Sequence, residues 1–331
     1  MSSQTRTLSF SLAINEAIHQ TMAQDPSVVL IGQGVKSPWY VGNTAAGLLE
    51  RFGAERVVDT PVSENAMTGL TVGAAIAGMR PIAVHPRMDF MLYAFDPIIN
   101  EAANWRYMSG GAMSVPVVFW GIINRGGEQA AQHSQAFHSL FAHIPGLKVV
   151  APATPYDAKG LMVAAIQDND PVVFIDERWL YSQVDIVPES LYSVPIGKAA
   201  VRREGGDLTV VASSYMSLLA YQAAEKLAEN NIQIELVDLR TIKPWDKETV
   251  FSSVRKTGRL LVLDGSWNTC GLAGEIISSV TENEFTALRS APARITLPDC
   301  PAPAARTLEK AYYPDTDTII TVARDLVKKP K

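Results

Sequence analysis

Glu64, Phe90 and His133 are the residues of this chain whose types could do chemistry together. A carboxylate can bond a ring nitrogen, an aromatic face can stack on a ring, and an imidazole can exchange protons near neutrality. Together they suit a cationic or nitrogen heterocycle. Each also has a plain structural role open to it. Ser63 can cap a helix whose dipole Glu64 complements. Phe90 can be a core residue of an apolar helix face, and His133 a surface loop residue. His138 and His143, on either side of Phe141, read as packing and capping residues with no chemical role.

The three residues fall at the ends of expected strands. Residues 56–58 read as a buried strand, and Pro61 favours an extended Thr60 and marks a turn. Glu64 then leads into a helix of small residues, 69–78, which lets other backbone pack very close. Residues 80–84 are the next strand, followed by a helix within 85–107 that carries Phe90, Met91, Ala94, Phe95, Ile98 and Ile99 on its apolar positions. Residues 116–120 are another strand. The segment 121–135 after it has three glycines and little periodicity, and it ends in Gln132-His133-Ser134-Gln135. Long polar segments of this kind are usually functional. One crevice at the carboxyl ends of a parallel sheet can collect all three sites.

The remaining pattern repeats the same alternation. Helices are expected at 9–24, 44–52 and 155–167, and strands at 28–31, 148–150 and 172–175. A polar, proline-bearing stretch at 179–196 reads as a linker. Beyond it come strands at 208–212, 234–238, 259–263 and 294–297. Helices at 217–229, 247–255, 271–281 and 318–327 complete the pattern, the last with Asp317 as its N-cap. The expected fold class is α/β, with two doubly wound domains at 1–185 and 186–331.

Composition excludes some functions. The 331 residues carry a net charge of -5 and no long basic run, which argues against nucleic acid. The apolar share of 47% and charged share of 19% suit a globular enzyme with buried strands. No run reaches membrane-spanning length, and residues 1–12 lack an apolar signal core. Cys270 and Cys300 stand in no metal or redox spacing and read as free thiols of a cytoplasmic protein. Residues 328–331 read as a frayed, solvated tail.

Long ordered phrases carry a family resemblance. They are ERVVDTPVSE at 55–64, GAAIAGMRP at 73–81, RYMSGG at 106–111, AQHSQ at 131–135 and IPGLKVVAPATPYDAKG at 144–160. VDLRTIKP at 237–244 and KTGR at 256–259 continue them. Over nearly its whole length the chain resembles the β subunit (E1β) of the thiamin-diphosphate-dependent 2-oxo acid dehydrogenases. The resemblance implies a pyrimidine-binding thiamin-diphosphate domain followed by a transketolase C-terminal-like domain.

By position, Glu64 matches the carboxylate that bonds N1′ of the aminopyrimidine and promotes its imino tautomer. Phe90 matches the residue that stacks on that ring, Val62 lies in the same wall, and His133 matches the histidine near the reacting carbon. Val117, Ala165, Asp168 and Asp170 fall where relatives hold a structural potassium ion, largely through backbone carbonyls. The bland reading of residues 168–171 is a turn. Enzymes of this class hold the diphosphate and Mg²⁺ with a Gly-Asp-Gly motif, and this chain has none. The family answer is a separate E1α-like subunit supplying that half, usually in an α2β2 assembly, with lipoyl-E2 as the acyl acceptor.

Two departures stand out. Gln33 replaces the acidic residue usual after the first strand, and an amide cannot carry a proton as a carboxylate does. The stretch His85-Pro86-Arg87-Met88-Asp89 replaces apolar or aromatic residues, and Arg87 is a candidate for selecting an anionic substrate, the alternative being a salt bridge to Asp89 or to a partner. Two other functional readings are the C-terminal half of a split transketolase-like or acyl-transferring enzyme with another acceptor, and a degenerate β chain kept as a scaffold. The retained Glu64, Phe90 and His133 argue against the scaffold.

Overall fold

The structure is a computed structural model and describes residues 6–37 and 41–328, so residues 329–331 of the expected tail lie outside it. It forms two compact units. One holds the chain up to Arg125 together with His133–Ile196; the other holds Gly126–Gln132 and the chain from Gly197 onward.

In the first unit, β1 (Thr7–Ser9) leads into the helix Phe10–Gln24, capped by the Ser9 hydroxyl. Then β2 (Val28–Gln33), β3 (Val57–Thr60), β4 (Arg80–His85), β5 (Val118–Ile123), β6 (Lys148–Val150) and β7 (Val172–Glu177) form a parallel sheet. Their order is β6-β7-β5-β4-β2-β3. β5 and β7 are buried along their whole length. That follows from helices covering both sheet faces, which turns alternation into continuous apolar runs. Gly32 is needed where β2 meets β4, because a Cβ there would lie 2.5 Å from the Val84 carbonyl oxygen.

Several elements differ from expectation. The expected helix 44–52 is broken into a 3₁₀ turn, Gly42–Ala45, and a short helix, Leu48–Phe52, with Gly47 left-handed at φ 74° between them. The expected helix after β4 is a 3₁₀ segment, Met88–Ala94, a π segment, Asp96–Ala102, and an α turn, Ala103–Met108. Pro97 sits in the middle with no N–H to carry a regular ladder through. Ser63 occupies the N-cap position of the helix Glu64–Ile76 but makes no side-chain cap bond. Among the described residues no other backbone packs on the helix glycines: a Cβ at Gly69 or Gly73 would meet nothing within 4 Å.

The expected linker belongs to the first unit. β8 (Val184–Ile186) pairs antiparallel with β1. The buried Lys159 ammonium donates to the carbonyls of Pro188, Glu189 and Ser190. Val194 N–H donates to Gly160 O at 3.0 Å. These bonds carry the first unit past residue 185 to Ile196.

In the second unit β9 (Ala200–Arg203), β10 (Leu208–Ala212), β11 (Ile234–Asp238), the short β12 (Thr241–Lys243), β13 (Leu260–Trp267) and β14 (Ala293–Leu297) alternate with helices. The sheet runs β14-β13-β10-β11-β9, parallel except for β9. The antiparallel edge strand β9 has no clear apolar alternation to announce it. The core gathers Leu208, Val210, Leu236 and Leu261 against Ile319, Ala323 and Leu326 of the last helix, Thr316–Lys328. Its cap is Asp315, whose carboxylate accepts from Thr318 N–H at 2.8 Å, and not Asp317.

Candidate active site

β2, β3 and β4 are neighbours in register, so Gln33 lies opposite Thr60 and Gly32 opposite Val84. Their carboxyl ends therefore reach one edge together, which is where open parallel sheets bind ligands. A narrow crevice there is lined by Gln33, Thr60, Glu64, Met67, His85 and Pro86. Asp59 holds the loop above it by accepting Gly34 N–H at 2.8 Å. Glu64 is half-buried as the first residue of its helix.

Two residues of the crevice wall keep a buried polar atom without a hydrogen-bond partner: Thr60 Oγ1 and His85 Nδ1. Such groups are rare in folded proteins and call for an explanation. His85 is fully buried, and its Nε2 lies 3.2 Å from Thr68 Oγ1. Burial pushes its imidazole down to about 4, so it is neutral at pH 7. The sequence reading gives His85 no chemical role; its place at the end of β4 is the signal that could have done so.

Beyond Pro86 the 3₁₀ segment carries Arg87 at its N-cap, then Asp89 and Phe90. The half-buried Phe90 ring meets the His133 imidazole edge-on, with centroids 5.4 Å apart and an interplanar angle of 80°. The loop bearing His133 begins after Ile123, later than expected, because β5 runs on through residues 121–123. Asp89 reaches across to it. Its Oδ1 accepts the backbone N–H of Gln135 at 3.2 Å and the Gln135 side-chain amide at 2.8 Å. The Arg87–Asp89 salt bridge that the sequence allows is not what holds Asp89; its second oxygen, Oδ2, is buried with no hydrogen-bond partner. Arg87 Nη1 instead donates to the Pro86 carbonyl at 2.6 Å.

Gln33 and Glu64 thus share one crevice, and Phe90 and His133 share one ring contact. Val62 is 70% exposed on the turn before Glu64. The polar groups of the crevice, a carboxylate and two unmatched polar atoms, suit one end of a nitrogen heterocycle, but its walls stand too close to admit a water molecule, and the Phe90 ring lies outside it.

The four residues expected at a potassium ion lie elsewhere, at the amino-terminal side of β5–β7. The Val117 carbonyl accepts Val172 N–H at 3.0 Å, and the Asp168 carbonyl accepts from Arg80 Nη1 at 2.9 Å. The Asp168 and Asp170 carboxylates bind Lys148 at 2.7 and 3.2 Å, and Asp170 also binds Arg106 at 2.5 Å. Their side chains are therefore already paired with cations, which leaves the backbone carbonyls as the more available donors for an ion. Ala165 is in the last turn of the helix Pro155–Gln167, where carbonyls lack helical partners. Among the described residues no three His, Cys, Asp or Glu groups form a metal cluster. A large open cavity of about 780 Å³ also lies on this side, lined by Arg106, Tyr107, Lys148 and Asp170, away from the crevice. No helix of the described residues is long and apolar enough to cross a membrane.

Comparison with known proteins assigns most of the chain to two family models. Residues 6–183 match the model "Transketolase, pyrimidine binding domain", and residues 197–319 match "Transketolase, C-terminal domain". The chain is 44% identical to the acetoin:2,6-dichlorophenolindophenol oxidoreductase subunit beta of Cupriavidus necator, covering 98% of this chain and 99% of that protein. It is 42% identical to the mitochondrial pyruvate dehydrogenase E1 component subunit beta-1 of Arabidopsis thaliana, covering 94% and 87%. A solved structure described as a split gene transketolase, inactive beta4 tetramer, superposes with a TM-score of 0.79 at 20% identity, covering 98% and 99% of the two chains. That last likeness concerns the fold alone.

Proposed function

We propose that this chain, which belongs to the β-subunit (E1β) family of the thiamin-diphosphate-dependent 2-oxo acid dehydrogenases, holds the aminopyrimidine half of the cofactor and works only with an E1α-like subunit. The observation that carries this is an incomplete site: Glu64 stands beside the unmatched Thr60 Oγ1 and His85 Nδ1, in a chain with no Gly-Asp-Gly. Exposed apolar side chains such as Val62, Leu70, Tyr93, Tyr107 and Met108 offer surface for the partner, in keeping with an α2β2 assembly.

When bound, the cofactor supplies a nucleophilic carbon that adds to a 2-oxo acid and lets it lose CO₂. In this reading the Glu64 carboxylate bonds the ring nitrogen and holds or releases a proton there. Phe90 stacks on the ring and Val62 closes its wall. His133, braced edge-on by Phe90, handles protons near the reacting carbon. Gln33 touches the same crevice as Glu64 but cannot relay a proton. Mg²⁺ and the diphosphate fall to the α subunit, and the acyl group passes to lipoyl-E2. Arg87 bears on the substrate, where a guanidinium favours a second anionic group over a purely apolar branched side chain. A potassium ion, held by the carbonyls of Val117, Ala165, Asp168 and Asp170, stiffens the region beneath; a melting temperature equal in potassium and sodium chloride would remove it.

Calorimetry tests the central claim. The isolated chain should bind thiamin diphosphate and Mg²⁺ weakly, and tight binding should appear once the α subunit is added. Tight binding by the isolated chain would overturn the divided site. Transfer to a lipoyl domain in the reconstituted complex distinguishes a dehydrogenase component from an enzyme with another acceptor.

A further inference from the structure

Two separate stretches of chain carry the ring and the imidazole of the site, and one buried carboxylate joins them. Asp89 is 5% exposed and immediately precedes Phe90. Its Oδ1 holds Gln135 twice, through the backbone N–H and the side-chain amide, two residues beyond His133. Ser134 between them is buried, and Phe137 N–H lies 3.4 Å from Met88 Sδ, which continues the same seam. The 3₁₀ segment is itself seated on β5: a Cβ at Gly121 would lie 2.5 Å from Met91 Sδ. The ring contact between Phe90 and His133 is therefore the outer end of a fixed seam whose polar anchor is Asp89.

We propose that Asp89 is a positioning residue that holds the 133–135 segment against the Phe90 turn and thereby sets where the His133 imidazole stands. The proposal rests on the reading of His133 given above. Asp89 acts through Gln135 and touches neither substrate nor cofactor. A bond to a charged acceptor is stronger than a neutral one, and this carboxylate accepts two donors on one oxygen. Burial raises the Asp89 carboxyl above the ordinary range, while the two Gln135 bonds and the nearby His133 oppose that shift. The buried, unmatched Oδ2 shows that the local fold tolerates a desolvation cost to keep this carboxylate in place. Asparagine would keep one acceptor oxygen at the same distance; alanine would keep none.

The experiment combines amide hydrogen exchange on the full chain with kinetics of the reconstituted complex. Asp89→Ala should speed exchange of the Gln135 amide severalfold, and Asp89→Asn should restore most of the protection. In the complex, Asp89→Ala should lower kcat roughly 10- to 100-fold, as misplacing a catalytic group does, with KM little changed. On a His133→Gln background the same change should cost almost nothing more. Equal losses on both backgrounds would overturn the proposal while leaving the His133 role intact. Unchanged exchange at Gln135 in Asp89→Ala would overturn it as well. If His133→Gln leaves kcat unaltered, the reading of His133 fails; faster Gln135 exchange in Asp89→Ala would then still uphold the anchor.

Discussion

Glu64 and Asp59 stand five residues apart at the same sheet edge, and their surroundings separate their roles. Asp59 is engaged by the Gly34 amide, whereas Glu64 lines the crevice beside unmatched polar atoms. Glu64→Gln keeps the shape and removes the charge, so turnover of the assembled complex should fall by ~10²-fold or more, the usual loss for a positioned acid–base group. Near-normal turnover would make Glu64 a helix-start residue only. Arg87 sits at the N-cap of the segment carrying Phe90, its Nη1 tied to the Pro86 carbonyl. Arg87→Met should lower kcat/KM for doubly anionic substrates by about 10-fold or more, equivalent to about 1.5–3 kcal/mol for a charged hydrogen bond. A panel of anionic and apolar 2-oxo acids and sugar phosphates reads this out; an equal effect on every substrate, or none, would exclude a selective role.

At the scale of elements, the site depends on how closely β2 approaches β4. Gly32 lies opposite Val84 in the register that brings Gln33 opposite Thr60. A Cβ at Gly32 would meet backbone oxygen at 2.5 Å, and backbone cannot rotate away as a side chain can. Gly32→Ala should therefore destabilise the chain by about 1–3 kcal/mol, the cost of overpacking. Urea unfolding of the full chain measures it, and a midpoint equal to wild type would mean that the two strands can separate without loss. At Gly121 the opposing atom is the flexible Met91 sulfur, so alanine there should be tolerated better. The irregular 88–108 segment belongs to the same argument. Its 3₁₀ start and Pro97 place Asp89 and Phe90 where a regular helix would not.

For the whole molecule, two fully buried groups oppose each other in the pH dependence of stability. The His85 imidazole is pushed from 6.5 down to about 4 by burial. Between those values the unfolded chain binds more protons, so His85 makes stability fall as pH drops from 6.5 towards 4, by roughly 3 kcal/mol. Asp176 is raised from 3.8 to about 7, mainly by burial, with the Trp120 indole and Tyr181 hydroxyl donating to it and Arg178 and Glu177 nearby. Here the folded chain binds more protons, so stability falls as pH rises from 3.8 to 7, by roughly 4 kcal/mol. The two slopes nearly cancel between about pH 4 and 6.5. Relative to wild type, His85→Phe should gain stability as pH falls through that window, and Asp176→Asn should gain it as pH rises towards 7. Denaturant unfolding across the range checks both; parallel profiles for variant and wild type would show that neither group titrates as its burial requires. The sequence by itself determined the alternation of strands and helices, the two α/β units, and the placing of Glu64, Phe90 and His133 in the segments that follow strands, because these are matters of local periodicity and turn chemistry. Only the tertiary structure decided that Asp89 would face Gln135, that His85 would be buried without a partner for Nδ1, and that residues 186–196 would join the first unit. Those depend on which distant segments meet, and local periodicity carries no term for that.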